Sequence, residues 1–210
     1  MNTLEYVIEK YKPVAVTNPI MEIPDVTRDD LASLVHELDL KVGVEVGVAS
    51  GQYSKVISDR NPQMKLYGVD PWTSYKEYKD YVKKETFDYL ETEAMKRLSD
   101  RPNYEFIKDF STNAIKRFEN NSIDFVYIDA NHEDPYITQD IEGWFKKVRS
   151  GGIVSGHDFM KSRHTRCDVI PAVLRFVEKN NISPLFIWGL NGKHNGLKRD
   201  SSRSWMIIKQ

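Results

Sequence analysis

Short β-branched apolar runs alternate along this chain with segments of helical spacing, and that alternation limits the fold more than any other feature. The run from Lys41 to Ala49 ends at Ser50-Gly51, and the run from Lys65 to Val69 ends at Asp70. Further runs lie at Asn103–Ile107, Ile123–Ile128 and Gly152–Ser155. Between them, Tyr53–Arg60, Thr112–Phe118 and Ile137–Val148 read as helices. Strands separated by helices pair in parallel and are covered on both faces. The last two runs, Pro184–Trp188 and Ser204–Ile208, are joined by a polar loop without helical spacing, which predicts antiparallel neighbours. The expected class is α/β: a doubly wound, mostly parallel seven-stranded sheet with an antiparallel C-terminal edge strand.

The ends of this pattern are less regular. Residues 1–12 read as a short helix, whereas the three prolines between Pro13 and Val26 exclude one. Thr27 reads as an N-cap before acidic residues, and Leu31, Leu34, Val35 and Leu38 mark one helical face. The expectation is a single domain over 1–210, with an N-terminal helical arm at 1–40 and a lid-like helical insertion at 72–102. Within the insertion, Tyr75–Leu98 is dense in Lys, Glu and Tyr. It follows a strand's carboxyl end, where open α/β sheets place their ligands.

Composition removes several classes. The 210 residues are 40% apolar and 29% charged, too apolar for a disordered chain. A net charge of -1 lacks the basic excess of a protein that grips nucleic-acid phosphates. The single Cys167 excludes a disulfide framework and a cysteine-only zinc site. No apolar run approaches the roughly 20 residues that span a bilayer, and the charged start MNTLEYVIEKYK is unlike a signal peptide. The expected location is the cytoplasm, with no membrane partner.

The strand ends carry the chemistry. Glu45 lies near the end of the first long strand, and Gly47 and Gly51 flank the following turn, where glycines admit close backbone approach. The stretch Gly47-Val-Ala-Ser-Gly51 is not the G-x-G-x-x-G of a dinucleotide site. Asp70, 19 residues after Gly51, is placed to accept hydrogen bonds from ribose hydroxyls. A nucleoside ligand fits these features better than a dinucleotide.

Four motifs in order, Glu45-V-Gly47-V-A-S-Gly51, Asp70-P-Trp72, Asp109-F-Ser111 and Asp129-A-N-His132, resemble those of class I S-adenosylmethionine-dependent methyltransferases. The resemblance runs from about Asp39 to Gln210 and implies their Rossmann-like fold. Asp129-A-N-His132 and Ser155-G-His157-Asp158 are similar to the small O-methyltransferases that include macrolide-sugar and cephalosporin-tailoring enzymes. The resemblance implies that Gly47, Ser50 and Gly51 line the methionine part of the cofactor, with Glu45 near its amino group. Asp70 would bind the ribose with Trp72 beside it, and Asp109 and Ser111 would border the adenine.

The same resemblance implies a divalent cation, magnesium or manganese, on Asp129, His157 and Asp158. Oxygen donors favour magnesium, and a histidine shifts the balance toward manganese, iron or zinc. His157 stands where related enzymes often carry an acid. His132, with a side chain that titrates near neutrality, suits the base that takes the acceptor's proton, next to Asp129. The implied reaction is methyl transfer to a hydroxyl of a small molecule such as a sugar or natural product. The basic segments Lys161–Arg166 and Lys193–Arg203 would suit an acidic acceptor, or are solvated loops. The N-terminal arm and the insertion also offer surfaces for pairing with a second copy. Two other readings compete: a nicotinamide-dependent oxidoreductase, disfavoured by the missing glycine fingerprint, and a non-catalytic nucleoside-binding module, disfavoured by the acid–base residues. A nucleic-acid methyltransferase lacks both the basic excess and an N-P-P-Y-type motif.

Overall fold

Capping and proline placement decide the first forty residues. Helix α1 (Thr3–Tyr11) starts at Asn2, whose side chain accepts from the Glu5 backbone N–H while the Glu5 carboxylate accepts from that of Asn2. Beyond Pro13, β1 (Val14–Thr17) and β2 (Ile20–Ile23) pair as an antiparallel hairpin. The region 1–40 is therefore not a purely helical arm. A β-branched stretch bounded by prolines forms strands at a sheet edge, where missing N–H donors are tolerated. Helix α2 (Arg28–Glu37) follows Thr27, with a capping box closed by Asp30. The computed structural model describes residues 1–75, 83–161, 166–189 and 202–210.

The remaining strands are β3 (Val42–Val46), β4 (Lys65–Val69), β5 (Tyr104–Ile107), β6 (Ile123–Ile128), β7 (Val148–Gly156), β8 (Leu185–Trp188) and β9 (Ser204–Ile208). They form one sheet in the order β1-β2-β8-β9-β7-β6-β3-β4-β5. Strands β5, β4, β3, β6 and β7 run parallel, and β9 lies antiparallel between β7 and β8. The sheet thus has nine strands rather than the expected seven. The hairpin extends it beyond β8 through a parallel β2–β8 pairing, so the C-terminal strand is interior rather than an edge.

Alternation along the strands builds two cores. Phe125 and Tyr127 join one cluster with Leu31 of α2 and with Tyr53 and Ile57 of α3 (Gln52–Arg60). Ala94 and Leu98 of α4 (Lys84–Leu98) complete that layer. Val126 and Ile128 face the other way, toward α5 (Ser111–Ala114), α6 (Tyr136–Lys147) and α7 (Val169–Lys179). The spacing of Val169, Ala172, Val173, Phe176 and Val177 carries α7, a helix left unassigned by the sequence reading. Pro171 is tolerated there because it stands in the first turn. Trp144, Trp188 and Trp205 are fully buried packing residues, as their strand and helix positions imply.

One carboxylate ties the amino ends of three strands together. Asp124, at the start of β6, accepts from the Lys41 and Val42 backbone N–H groups at 2.7 and 2.8 Å and from Arg149 of β7. Charge-assisted bonds contribute about 1.5–3 kcal/mol each when a partner is removed. Asp124→Ala should therefore lower the urea unfolding free energy by about 3 kcal/mol. Ligand affinity should hardly change in the same protein, because this knot lies opposite the carboxyl ends of the strands. An unchanged urea midpoint would show that water replaces the carboxylate.

Candidate functional site

The site begins where the parallel strands stop. Gly47, Asp70, Asp129 and His157 each stand directly after the last residue of a strand. Each continues the ladder by one backbone bond: Gly47 N–H to Val69 at 2.9 Å, Asp70 N–H to Ile107 at 3.2 Å, Asp129 N–H to Val46 at 2.7 Å and His157 N–H to Ile128 at 3.0 Å. These bonds set four candidate site positions side by side along one edge.

The turn after β3 is held by Asp70. Its Oδ2 accepts from the Val48 and Ala49 N–H groups at 3.0 and 2.9 Å, and its Oδ1 accepts from the Trp72 N–H at 2.8 Å. Burial raises the Asp70 pKa, and these three N–H donors oppose the rise. A carboxylate has about four acceptor sites, so Asp70 keeps capacity for a hydroxyl. The Trp72 indole donates to the Ala49 carbonyl at 2.8 Å, which fixes both residues. Gly47 has φ +92°, and a Cβ there would lie 2.1 Å from the Asp129 carbonyl oxygen. No side chain fits that crossing of β3 and β6.

A cavity of about 360 Å³ opens above these turns. Of the residues singled out in the sequence, Gly47, Asp70, Trp72, Ser111 and Asp129 line it. Glu45, Ser50, Gly51 and Asp109 do not line it. Glu45 points into the α2–α4 side of the sheet, 2% exposed, and accepts from Ser54 Oγ. Burial pushes its carboxyl up to about 8. The Ser50 carbonyl accepts from Arg97 at 2.7 Å, and Gly51, at φ +76°, starts α3 against Leu98. Asp109 caps its own turn, accepting from Phe110 N at 2.7 Å and Asn113 Nδ2 at 3.1 Å. Phe87 and Leu90 of α4 form part of the cavity wall, so the insertion does flank the cavity. Its residues 76–82 lie outside the described residues, as do His164, His194 and most of both basic segments.

Asp129 also belongs to a cluster of acids and histidines. His132 Nε2 lies 3.4 Å from Asp129 Oδ1 and 3.1 Å from Asp158 Oδ2. His157 Nδ1 lies 3.8 and 3.4 Å from the same two oxygens. Ligand atoms of Asp129, His132 and Asp158 fall within 4.8 Å of one another, a spacing that suits one cation. His157 is 8% exposed, and its Nε2 is buried without a hydrogen-bond partner among the described residues. Burial alone would raise the Asp158 pKa; its bond with His157 and the charges of His132 and His157 outweigh that and hold it well below the usual carboxylate range.

Sequence reasoning missed other members of the site. Arg28, read only as a first-turn helix residue, reaches Asp129 Oδ2 at 3.5 Å and stacks over the Tyr53 ring at 5.0 Å. Asn131, a spacer inside a motif, donates to the Tyr75 hydroxyl at 3.2 Å and lines the cavity. Asp140 lines it from α6. Its only sequence signal was a carboxylate on the apolar side of a helix that buries Ile137, Ile141 and Trp144.

Residues 44–159 match the family model described as a methyltransferase domain. The O-methyltransferase TomG from Streptomyces achromogenes, solved with SAM and involved in tomaymycin synthesis, is similar with a TM-score of 0.60 at 15% identity. That alignment covers 99% of this chain and 90% of that one. An O-methyltransferase from Bacillus cereus, solved with SAH, gives 0.59 at 14% identity over 99% and 90% of the two chains. A precorrin-6y C5,15-methyltransferase from Geobacter metallireducens gives 0.60 at 13% identity over 87% of each. These likenesses establish the class I methyltransferase fold. Among curated protein sequences nothing matches the chain.

Gly47→Ala should shift the end of β6 and cost more than the roughly 1–3 kcal/mol of backbone strain alone, because the new methyl meets a carbonyl. A lowered melting temperature together with lost ligand binding checks this; a wild-type melting curve would refute it. Glu45 supplies a second expectation. Its ordinary value near 4.5 becomes about 8 on folding, so the native state holds a proton that the unfolded chain releases. The stability this contributes is fully present below about pH 4.5 and is lost as pH rises through about 8. Glu45→Gln should therefore gain on the wild type in urea midpoint between pH 5 and pH 8. A pH-independent difference would place the carboxyl in an ionised state throughout.

Proposed function

The chain belongs to the methyltransferase domain family, and we propose that it moves the methyl group of S-adenosylmethionine to a hydroxyl oxygen of a small-molecule acceptor. One observation carries this reading: a single cavity runs from the glycine turn and Asp70 to Asp129, beside which His132 stands between two carboxylates. The turn and Asp70 would hold the donor, and the acceptor would enter at the Asp129 end. Aligning an oxygen with an already activated methyl carbon removes roughly 7–11 kcal/mol of barrier. The acceptor's proton remains. His132, oriented by Asp129 and Asp158, is the base that takes it, and the two carboxylates stabilise the imidazolium that forms.

The donor set fits a divalent cation. Two carboxylates and an imidazole suit manganese, iron or zinc, and the carboxylates alone suit magnesium. Asp129 and Asp158 would hold it, with His157 as the nitrogen ligand in this reading. When bound, such a cation lowers the pKa of an acceptor hydroxyl. The closer approach of His132 to both carboxylates favours a second arrangement, in which His132 is the ligand and not the base.

Titration calorimetry with S-adenosylhomocysteine, with NAD and with manganese, run beside a methyl-transfer assay on a panel of hydroxylated acceptors, separates these readings. Asp70→Ala should abolish S-adenosylhomocysteine binding. His132→Ala should keep both the S-adenosylhomocysteine and manganese heats and lose about 10²- to 10⁴-fold in turnover. Loss of the manganese heat in His132→Ala, with retention in His157→Ala, would make His132 the ligand. Binding of NAD in place of S-adenosylhomocysteine would overturn the methyl-transfer reading.

A further inference from the structure

Arg28 brings a fixed positive charge to the carboxylates that would hold a cation, and it comes from outside the matched methyltransferase region. That match begins at residue 44, whereas Arg28 opens α2, 101 residues before Asp129. Its Nη1 lies 3.5 Å from Asp129 Oδ2, while Asp129 Oδ1 is the oxygen that faces His132 and His157. The carboxylate is thereby divided, with one oxygen toward the guanidinium and the other toward the histidines.

A surface arginine could swing away to make room for a metal ion, but Arg28 is held at both ends. Its side chain is 11% exposed. The guanidinium lies over the Tyr53 ring at 5.0 Å, and the Tyr53 hydroxyl donates to the Arg28 carbonyl at 2.7 Å. The Tyr53 ring packs in turn against Tyr127 at 4.6 Å, and Arg28 also bonds to the Tyr127 side chain. Just before it, Thr27 closes the capping box with Asp30, and its carbonyl accepts from the Trp188 indole at 2.7 Å.

Charge then decides the consequence. With the histidines neutral, as metal ligation requires, Asp129 and Asp158 supply the negative charge of the cluster, and Arg28 cancels part of it. Glu45, also within reach of the Arg28 charge, keeps its proton up to about pH 8 and does not offset it. A cation in this partly buried cluster meets the arginine with little solvent between them, so the repulsion is poorly screened. We propose that Arg28 is a positioning residue that holds Asp129 Oδ2 and keeps the affinity of the cluster for a divalent cation low. The segment before the methyltransferase match thus sets how tightly the metal is held. The inference rests on the divalent-cation reading above.

The test is calorimetric titration of manganese into the full-length wild type, Arg28→Gln, Arg28→Met and Arg28→Lys, each checked by its melting curve. Arg28→Gln removes the charge and keeps an N–H donor for Asp129; Arg28→Met removes the charge and keeps an apolar contact for the Tyr53 ring. Both should bind manganese about tenfold or more tightly than the wild type. Arg28→Lys keeps the charge and should bind it no more tightly than the wild type. A merely structural role would weaken binding in the neutral variants, not strengthen it. Wild-type binding that the folded neutral variants leave unchanged or weaken overturns this proposal alone, as does an Arg28→Lys as tight as Arg28→Gln. A submicromolar manganese Kd in the wild type overturns it without recourse to any variant. Manganese bound by neither the wild type nor the neutral variants overturns the divalent-cation reading, and this proposal with it.

Discussion

The candidate site of this chain depends on four backbone hydrogen bonds that carry a parallel ladder one residue past its strands. Parallel strands in register end together, so the residues that follow them emerge along one line. Gly47, Asp70, Asp129 and His157 are those residues, each N–H bound to a carbonyl of the neighbouring strand. Their positions are set by the sheet rather than by the loops that follow, and the central strands that carry them are packed on both faces. A site built this way tolerates sequence change in the loops while keeping its first atoms fixed.

Placing so many carboxyls at one buried edge has an electrostatic cost, and each is met differently. Asp70 is surrounded by backbone N–H donors of the turn it organises. Asp129 and Asp158 share two histidines, with Arg28 against the far oxygen of Asp129. Glu45 meets the cost by holding a proton below about pH 8 and bonding to Ser54. Asp140 has Ser111 alone among the described residues, and burial raises its carboxyl to about 7. The differences arise from what each helix brings to the sheet, not from the strands.

That division also explains what could be read from the sequence. Strand ends are local: an apolar run that stops at Asp70 or Asp129 announces a carboxylate at the sheet edge, and the family resemblance adds the order of the motifs. The hairpin of β1 and β2 was hidden because prolines exclude a helix without saying what replaces it. Side-chain direction was equally hidden. Glu45 lies one residue from Val44 and Val46, and the pleat turns it toward Ser54 and away from the cavity. Arg28 and Asp140 come from helices whose rotation is fixed by Leu31 and by Ile137, Ile141 and Trp144, packing that no spacing of charged residues encodes.

The two histidines show how far such packing reaches into chemistry. His157 follows β7 directly, so the ladder fixes its backbone, and its ring is 8% exposed beside both carboxylates. His132 sits three residues beyond Asp129, where the Asp168 N–H donates to its carbonyl at 2.8 Å and so fastens it to the start of α7. A ring on a rigid strand end suits a fixed ligand, and a ring on a turn suits a group that must accept a proton and then release it. The greater exposure of His132, 21% against 9% for the His157 side chain, points the same way, since a base must return its proton to water. Access to solvent and a place on the turn thus suit His132 to proton transfer, and the strand end suits His157 to a fixed ligand.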